Sequence, residues 1–319
     1  AGSVAGLVSG RVLIGIGHGA VIAGIYLLAV SWSTPERSAS VAATVVALAG
    51  GSGALLATAP LAQALAHAGF GATFGALALL TLAFSAGIYA VVRDAPPGAH
   101  GKAPRVAEGF WQSLRGMWEV ASDAKLGRIY AMGTCFTAPF MTGGGLWAGP
   151  YLRDVHGLDE VHVGWVLLVM MLAFHVGYLA YGPLDRLFAS RKRVVLGGVA
   201  GMIATLLGLC ARPEPPLVPV LVLLTIFSLC APFYITLAAH CRDFVPIQRV
   251  GRALACINLG GLVGVFVLQA GTGLLMETVA DGGAGSEATG YRLVFLTLAL
   301  VLVAAAVPYA GIRDAGVRA

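Results

Sequence analysis

The strongest chemical signal in this sequence is a guanidinium inside an apolar stretch. Arg11 stands in GRVLIGIGHGA and is the one Lys, Arg, Asp or Glu residue that falls within the interior of an apolar run. A permanent cation in hydrocarbon costs on the order of several kcal/mol unless it meets a cavity or a partner, so its presence points to binding. Steps of four, three, four and four residues bring Arg11, Gly15, His18, Ile22 and Tyr26 onto one helical face. Such a face lines a cavity and holds an acidic group. Snorkelling of Arg11 to the outer interface is the plainer reading of the same residue.

A second set of polar residues recurs in later apolar runs. His175, Tyr178 and Gly182 share a face of the run 163–183, and Asn258, Gly261, Val265 and Gln269 share a face of 253–276. An amide or imidazole in hydrocarbon needs a partner, which is either a solute or a neighbouring helix. Trp147 and Tyr151 end the run 127–152, as a lid over the outer mouth of a cavity or as interfacial anchors. Between runs, Gly182-Pro-Leu-Asp185-Arg186 and Arg191-Lys192-Arg193 gather a carboxylate among cations, a set whose ion pairs can form and break. The plainer reading is that these arginines only mark topology.

Other chemistries are excluded by what the pattern lacks. His18, His175 and His240 stand apart from carboxylates, and Cys135, Cys210, Cys230, Cys241 and Cys256 show no paired spacing. No metal site, disulfide framework, cofactor or catalytic set is expected. There is no G-x-x-x-x-G-K-[ST], so the glycines of Gly50-Gly51-Ser52-Gly53 are not an ATP cradle. The net charge of +5 and pI of about 9.1 follow topology, not a nucleic-acid-binding patch.

Nine apolar stretches must position these residues: 10–32, 38–66, 71–92, 127–152, 163–183, 194–211, 217–241, 253–276 and 292–311. About 20 apolar residues cross a bilayer as a helix. With 58% hydrophobic and 11% charged residues and mean hydropathy +0.85, the chain has no room for a large soluble domain. An all-α, polytopic membrane helix bundle is expected. The one long connection, about 93–126, carries Phe110, Trp111, Leu114, Met117 and Trp118 at helical spacing opposite Glu108, Arg115 and Glu119, as an interfacial amphipathic helix would. On alternating loops Arg37, Arg93, Arg128, Arg193, Arg252 and Arg313 fall on one side, and Arg153, Arg212 and Arg292 on the other. The positive-inside rule then places the C-terminus in the cytoplasm, in a plasma (inner) membrane. The odd number of spans and a start at Ala1 suggest a chain truncated at its N-terminus.

Arg11, Gly15 and Gly17 resemble the R-x-x-x-G-x-G motif in the fourth transmembrane helix of many major facilitator superfamily carriers. Gly182, Asp185 and Arg186 with the following basic cluster are similar to that superfamily's loop signature after helix 2 and, more loosely, after helix 8. Here Asp185 follows Gly182 by three residues instead of four, and the basic cluster comes about two residues late. The resemblance implies a fragment covering helices 4 to 12. Residues 1–93 would be three spans of the N-terminal half, 94–126 the cytoplasmic linker, and 127–319 the C-terminal six-helix half. It implies a secondary active transporter moving a small-molecule substrate through the lipid bilayer by alternating access, as symporter or antiporter. The cavity would take in Arg11, His18, Tyr26, Trp147, Tyr151, His175, Tyr178, Tyr234, Asn258 and Gln269, and the cytoplasmic gate Gly182, Asp185, Arg186 and Arg191. Arg11 favours an anionic or zwitterionic substrate, and a proton is the coupling ion left open. A non-transporting receptor or sensor and a membrane-embedded enzyme are the alternatives. On this reading the fragment alone does not transport.

Overall fold

The computed structural model describes residues 3–33, 35–93, 109–123, 126–212, 215–246, 249–281 and 287–314. The chain forms two compact units, Ala1–Ala107 and Glu108–Ala319.

The first unit consists of α1 (Val4–Trp32), α2 (Pro35–Leu56) and α3 (Ala59–Val91), packed in sequence order. The Ser3 hydroxyl caps α1 by accepting from the Gly6 N–H at 3.2 Å. The expected boundary between 38–66 and 71–92 moves. Helix α2 stops at Leu56, and Pro60 opens α3, where its missing N–H would be unpaired in any case. Hydropathy could not mark this turn because the residues on both sides are apolar. Inside α3 the chain breaks at Gly69, whose φ of 76° and ψ of 169° suit only glycine. The Thr73 hydroxyl bridges the break by donating to the Ala64 carbonyl at 3.1 Å. The Trp32 indole ties the ends of α1 and α3 by donating to the Arg93 carbonyl at 2.8 Å.

The second unit opens with the amphipathic α4 (Phe110–Ala121). There follow α5 (Gly127–Thr142), a π turn (Gly143–Trp147), α6 (Ala148–Asp154), α7 (Glu160–Leu187) and α8 (Arg191–Cys210). Then come α9 (Leu217–Cys230), a 3-10 turn (Ala231–Phe233), α10 (Tyr234–Arg242), α11 (Val250–Asp281) and α12 (Glu287–Ala310). Helix α8 lies between α9 and α12, α5 packs on α11 and α12, and α7 packs on α9. Met202, Leu206, Phe227, Leu298 and Leu302 are buried at the centre.

Lipid is as apolar as leucine, so close packing rather than water exclusion holds such helices together. Glycines provide it. Gly133 faces Ile257 and Gly260 faces Thr134; at Gly264 a Cβ would lie 2.6 Å from the Thr134 carbonyl oxygen. Meanwhile α7 and α11 keep exposed apolar rows that include Leu172, Val176 and Leu179, and Leu259, Leu262 and Phe266.

Among the described residues there is no strand, and six helices are long and apolar enough to cross a membrane. They are Ala59–Val91, Glu160–Leu184, Arg191–Cys210, Leu217–Arg242, Val250–Ala280 and Ala288–Ala310. The other expected spans correspond to α1, α2 and the α5–α6 segment that the π turn divides. The result is an all-α, polytopic membrane bundle.

Candidate functional site

Two interruptions in otherwise apolar helices shape the second unit. Pro139 removes a backbone donor from α5, and the helix loosens into the π turn. Pro232 does the same between α9 and α10, leaving a short 3-10 turn where Pro232 has ψ 22°. The Tyr181 hydroxyl steadies this second break by donating to the Cys230 carbonyl at 2.8 Å. Broken backbone at membrane depth is tolerated where protein buries it or where it lines a cavity.

A cavity of about 80 Å³ adjoins the Pro232 break. Thr137, Phe140 and Met141 of α5, Phe174 and Tyr178 of α7, Ala231, Pro232 and Tyr234 line it. The Phe140 and Phe174 rings stack with centroids 4.7 Å apart, and Tyr178 follows at 6.5 Å from Phe174. Two expected cavity residues, Tyr178 and Tyr234, thus share one pocket despite lying on different helices. His175, one turn earlier on α7, is held by a 2.7 Å hydrogen bond between its Nδ1 and the Met171 carbonyl, and its ring meets Phe174 edge-on. Asp159 orients the start of α7 by accepting from the His162 backbone N–H at 2.9 Å, and this bond holds its carboxyl below the usual carboxylate range.

The remaining expected cavity residues lie elsewhere. Gln269 and Trp147 belong to the seam between α11 and the π turn. The Gln269 amide donates to the Met141 carbonyl at 3.2 Å, and the Trp147 indole donates to the Thr272 hydroxyl at 2.9 Å. Gln269 and Thr272 of α11 therefore clasp the π turn from both ends, at Met141 just before it and at Trp147 in it. Tyr151 is buried in an aromatic cluster with His156, Tyr291 and Phe295 at centroid distances of 5.2, 5.3 and 5.2 Å. Burial holds the His156 imidazole below the usual histidine range. Asn258 is exposed on α11. In the first unit Arg11 and His18 are exposed on α1, while the side chain of Tyr26 lies outside the described residues.

A polar cluster occupies the end of the second unit where α12 finishes. The Arg191 Nη1 sits 2.5 and 2.6 Å from the two Asp243 carboxylate oxygens. Ser190 caps α8 by accepting from the Arg193 N–H at 3.1 Å and donates to Asp314. His240 is fully buried, with Nδ1 2.7 Å from the Tyr309 hydroxyl and Nε2 3.4 Å from the Arg313 carbonyl. Of the expected gate residues, Gly182 is exposed and Arg191 is paired; the side chains of Asp185 and Arg186 lie outside the described residues.

Sequence reasoning missed Asp243, Phe140, Phe174 and Pro232. A proline in the middle of an apolar run was the available signal for the break. Asp243 offered no comparable signal, because its partner lies on another helix. Chemically the site can bind through ring faces and hydroxyls. Among the described residues no group of three or more His, Cys, Asp or Glu could hold a metal ion.

The family model described as Major Facilitator Superfamily matches residues 140–316, more than half of the chain. A solved bacterial homologue of the human lysosomal transporter Spinster, inward-facing and unoccupied, is similar with a TM-score of 0.53. The identity is 17%, over 89% of this chain and 72% of that chain, a likeness of fold. No curated protein sequence matches.

Proposed function

Because this chain belongs to the major facilitator superfamily of membrane transporters, we propose that it carries a small solute across the bilayer by alternating access. The observation that carries this reading is the helix break at Pro232 beside the cavity of Tyr178 and Tyr234. Discontinuous helices at membrane depth are how secondary transporters build solute sites.

In this account residues 1–93 belong to the N-terminal half, 94–126 are the linker, and 127–319 form the C-terminal half. The C-terminus is cytoplasmic, in the plasma (inner) membrane, as the basic loops favour. The Arg191–Asp243 pair, with Asp185 and Arg186, latches the cytoplasmic side. Its two side chains are 22% and 23% exposed. Hydrogen bonds to charged groups contribute about 1.5–3 kcal/mol each, little enough for rocking to break and remake them. Arg11 recruits an anionic or zwitterionic substrate, and a proton is the coupling ion.

Uptake by the full-length protein in proteoliposomes tests this. A labelled organic anion is expected to accumulate saturably down an imposed gradient, at least tenfold faster than a cation of equal size, and Arg11→Ala is expected to remove that preference. Saturable binding without flux would instead identify a receptor.

A further inference from the structure

We infer that the wall of the site in the second unit selects solutes with a flat aromatic body, whatever charge the head group carries. The inference rests on the transport reading only in taking this cavity as the solute site. Among the described residues its lining includes no Lys, Arg, Asp or Glu, so charge is not what this wall recognises. What it offers is a run of rings: Phe140 against Phe174 at 4.7 Å and 17° between planes, then Tyr178.

The run is anchored at one end and exposed at the other. Phe140 is buried and leans on Phe227 at 6.0 Å, so its ring is fixed before any solute arrives. Tyr178 is 43% exposed at the far end. A planar solute ring continues such a series by offset or edge-on contact, which aromatic quadrupoles favour and a saturated chain of equal volume cannot match. Pro232 reinforces the shape, since the broken backbone holds Ala231 and Tyr234 at the cavity instead of a regular helical surface. The imidazole nearest these rings, His175, is already committed at Nδ1 to the Met171 carbonyl.

Two matched probe pairs test this on the full-length protein in lipid nanodiscs: benzenesulfonate against hexanesulfonate, and benzyltrimethylammonium against hexyltrimethylammonium. The aryl member of each pair is expected to bind at least tenfold more tightly than its alkyl partner. Phe174→Leu, which keeps volume but loses the ring, is expected to bring both ratios near one while leaving alkyl affinity within twofold. If that variant does not fold, Tyr178→Leu decides on the same ratios. Equal affinities within both pairs, no binding of either aryl probe, or an undiminished preference in the folded variant overturns the inference. Flux of the same probes separates the two readings. Ring-selective binding without flux sinks the transport reading alone, and flux without ring selectivity sinks this one alone.

Discussion

Gly177→Val is expected to abolish uptake. A Cβ at position 177 would lie 2.3 Å from the Leu229 carbonyl oxygen and 3.2 Å from the Pro232 ring. Neither can yield as a flexible side chain would, since one is backbone of α9 and the other is the break itself. Helix α7 would have to move off α9, taking Phe174 and Tyr178 away from Pro232 and Tyr234. Forcing extra methyl groups into a packed interface typically costs about 1–3 kcal/mol, and a clash with backbone falls at or above the top of that range. Uptake is expected to fall at least a hundredfold, with a lower unfolding temperature in detergent. Gly197→Ala serves as the control, because a Cβ there meets nothing within 4 Å; uptake and melting are expected to stay as in the parent. Normal uptake by Gly177→Val would show that the α7–α9 contact does not shape the site.

Pro232→Ala should separate stability from function. The substitution restores a backbone donor and removes a ring that a helix interior tolerates poorly, a penalty of about 3 kcal/mol in an ordinary helix. Melting at an equal or higher temperature is expected, because α9 and α10 can then run on as one helix. Transport is expected to drop at least tenfold, since the cavity depends on the interruption that the alanine heals. Tyr181→Phe should lower transport more weakly, and here melting falls as well, because it removes the hydroxyl that donates to the Cys230 carbonyl. Unchanged uptake with raised stability would mean that the break is tolerated strain without a role in transport.

Helices of the second unit were legible because hydropathy runs, charged loops and Pro or Gly punctuation agreed with one another. Even the ring face of α4 could be read from the spacing of Trp111, Leu114 and Trp118. The site was legible only in part. Tyr178 was read from the face it shares with His175 and Gly182, and Tyr234 only from the family resemblance, but their meeting in one cavity depends on how α7 crosses α9 at Gly177, which one chain's periodicity does not encode. Prolines at 139 and 232 were unread signals of interruption, and even when read they do not reveal that one relaxes into a π turn and the other into a 3-10 turn. Gln269 reads equally as a solute contact or a helix tie, and its bond to the Met141 carbonyl makes it a tie in this conformation. In the first unit the α2–α3 turn was invisible to hydropathy and falls just before Pro60, while Gly69 breaks α3 itself.

Two-sided accessibility of the cavity tests the central claim most directly, and it needs no knowledge of the substrate. A cysteine introduced as Thr137→Cys, with the five native cysteines replaced, is probed in full-length protein with a membrane-impermeant thiol reagent from one side of oriented vesicles and then from the other. Modification from both sides is expected, and Asp243→Asn should shift it toward the side of the C-terminus by loosening the Arg191 latch. Reaction from a single side under every condition, unmoved by Asp243→Asn, would contradict alternating access through this site.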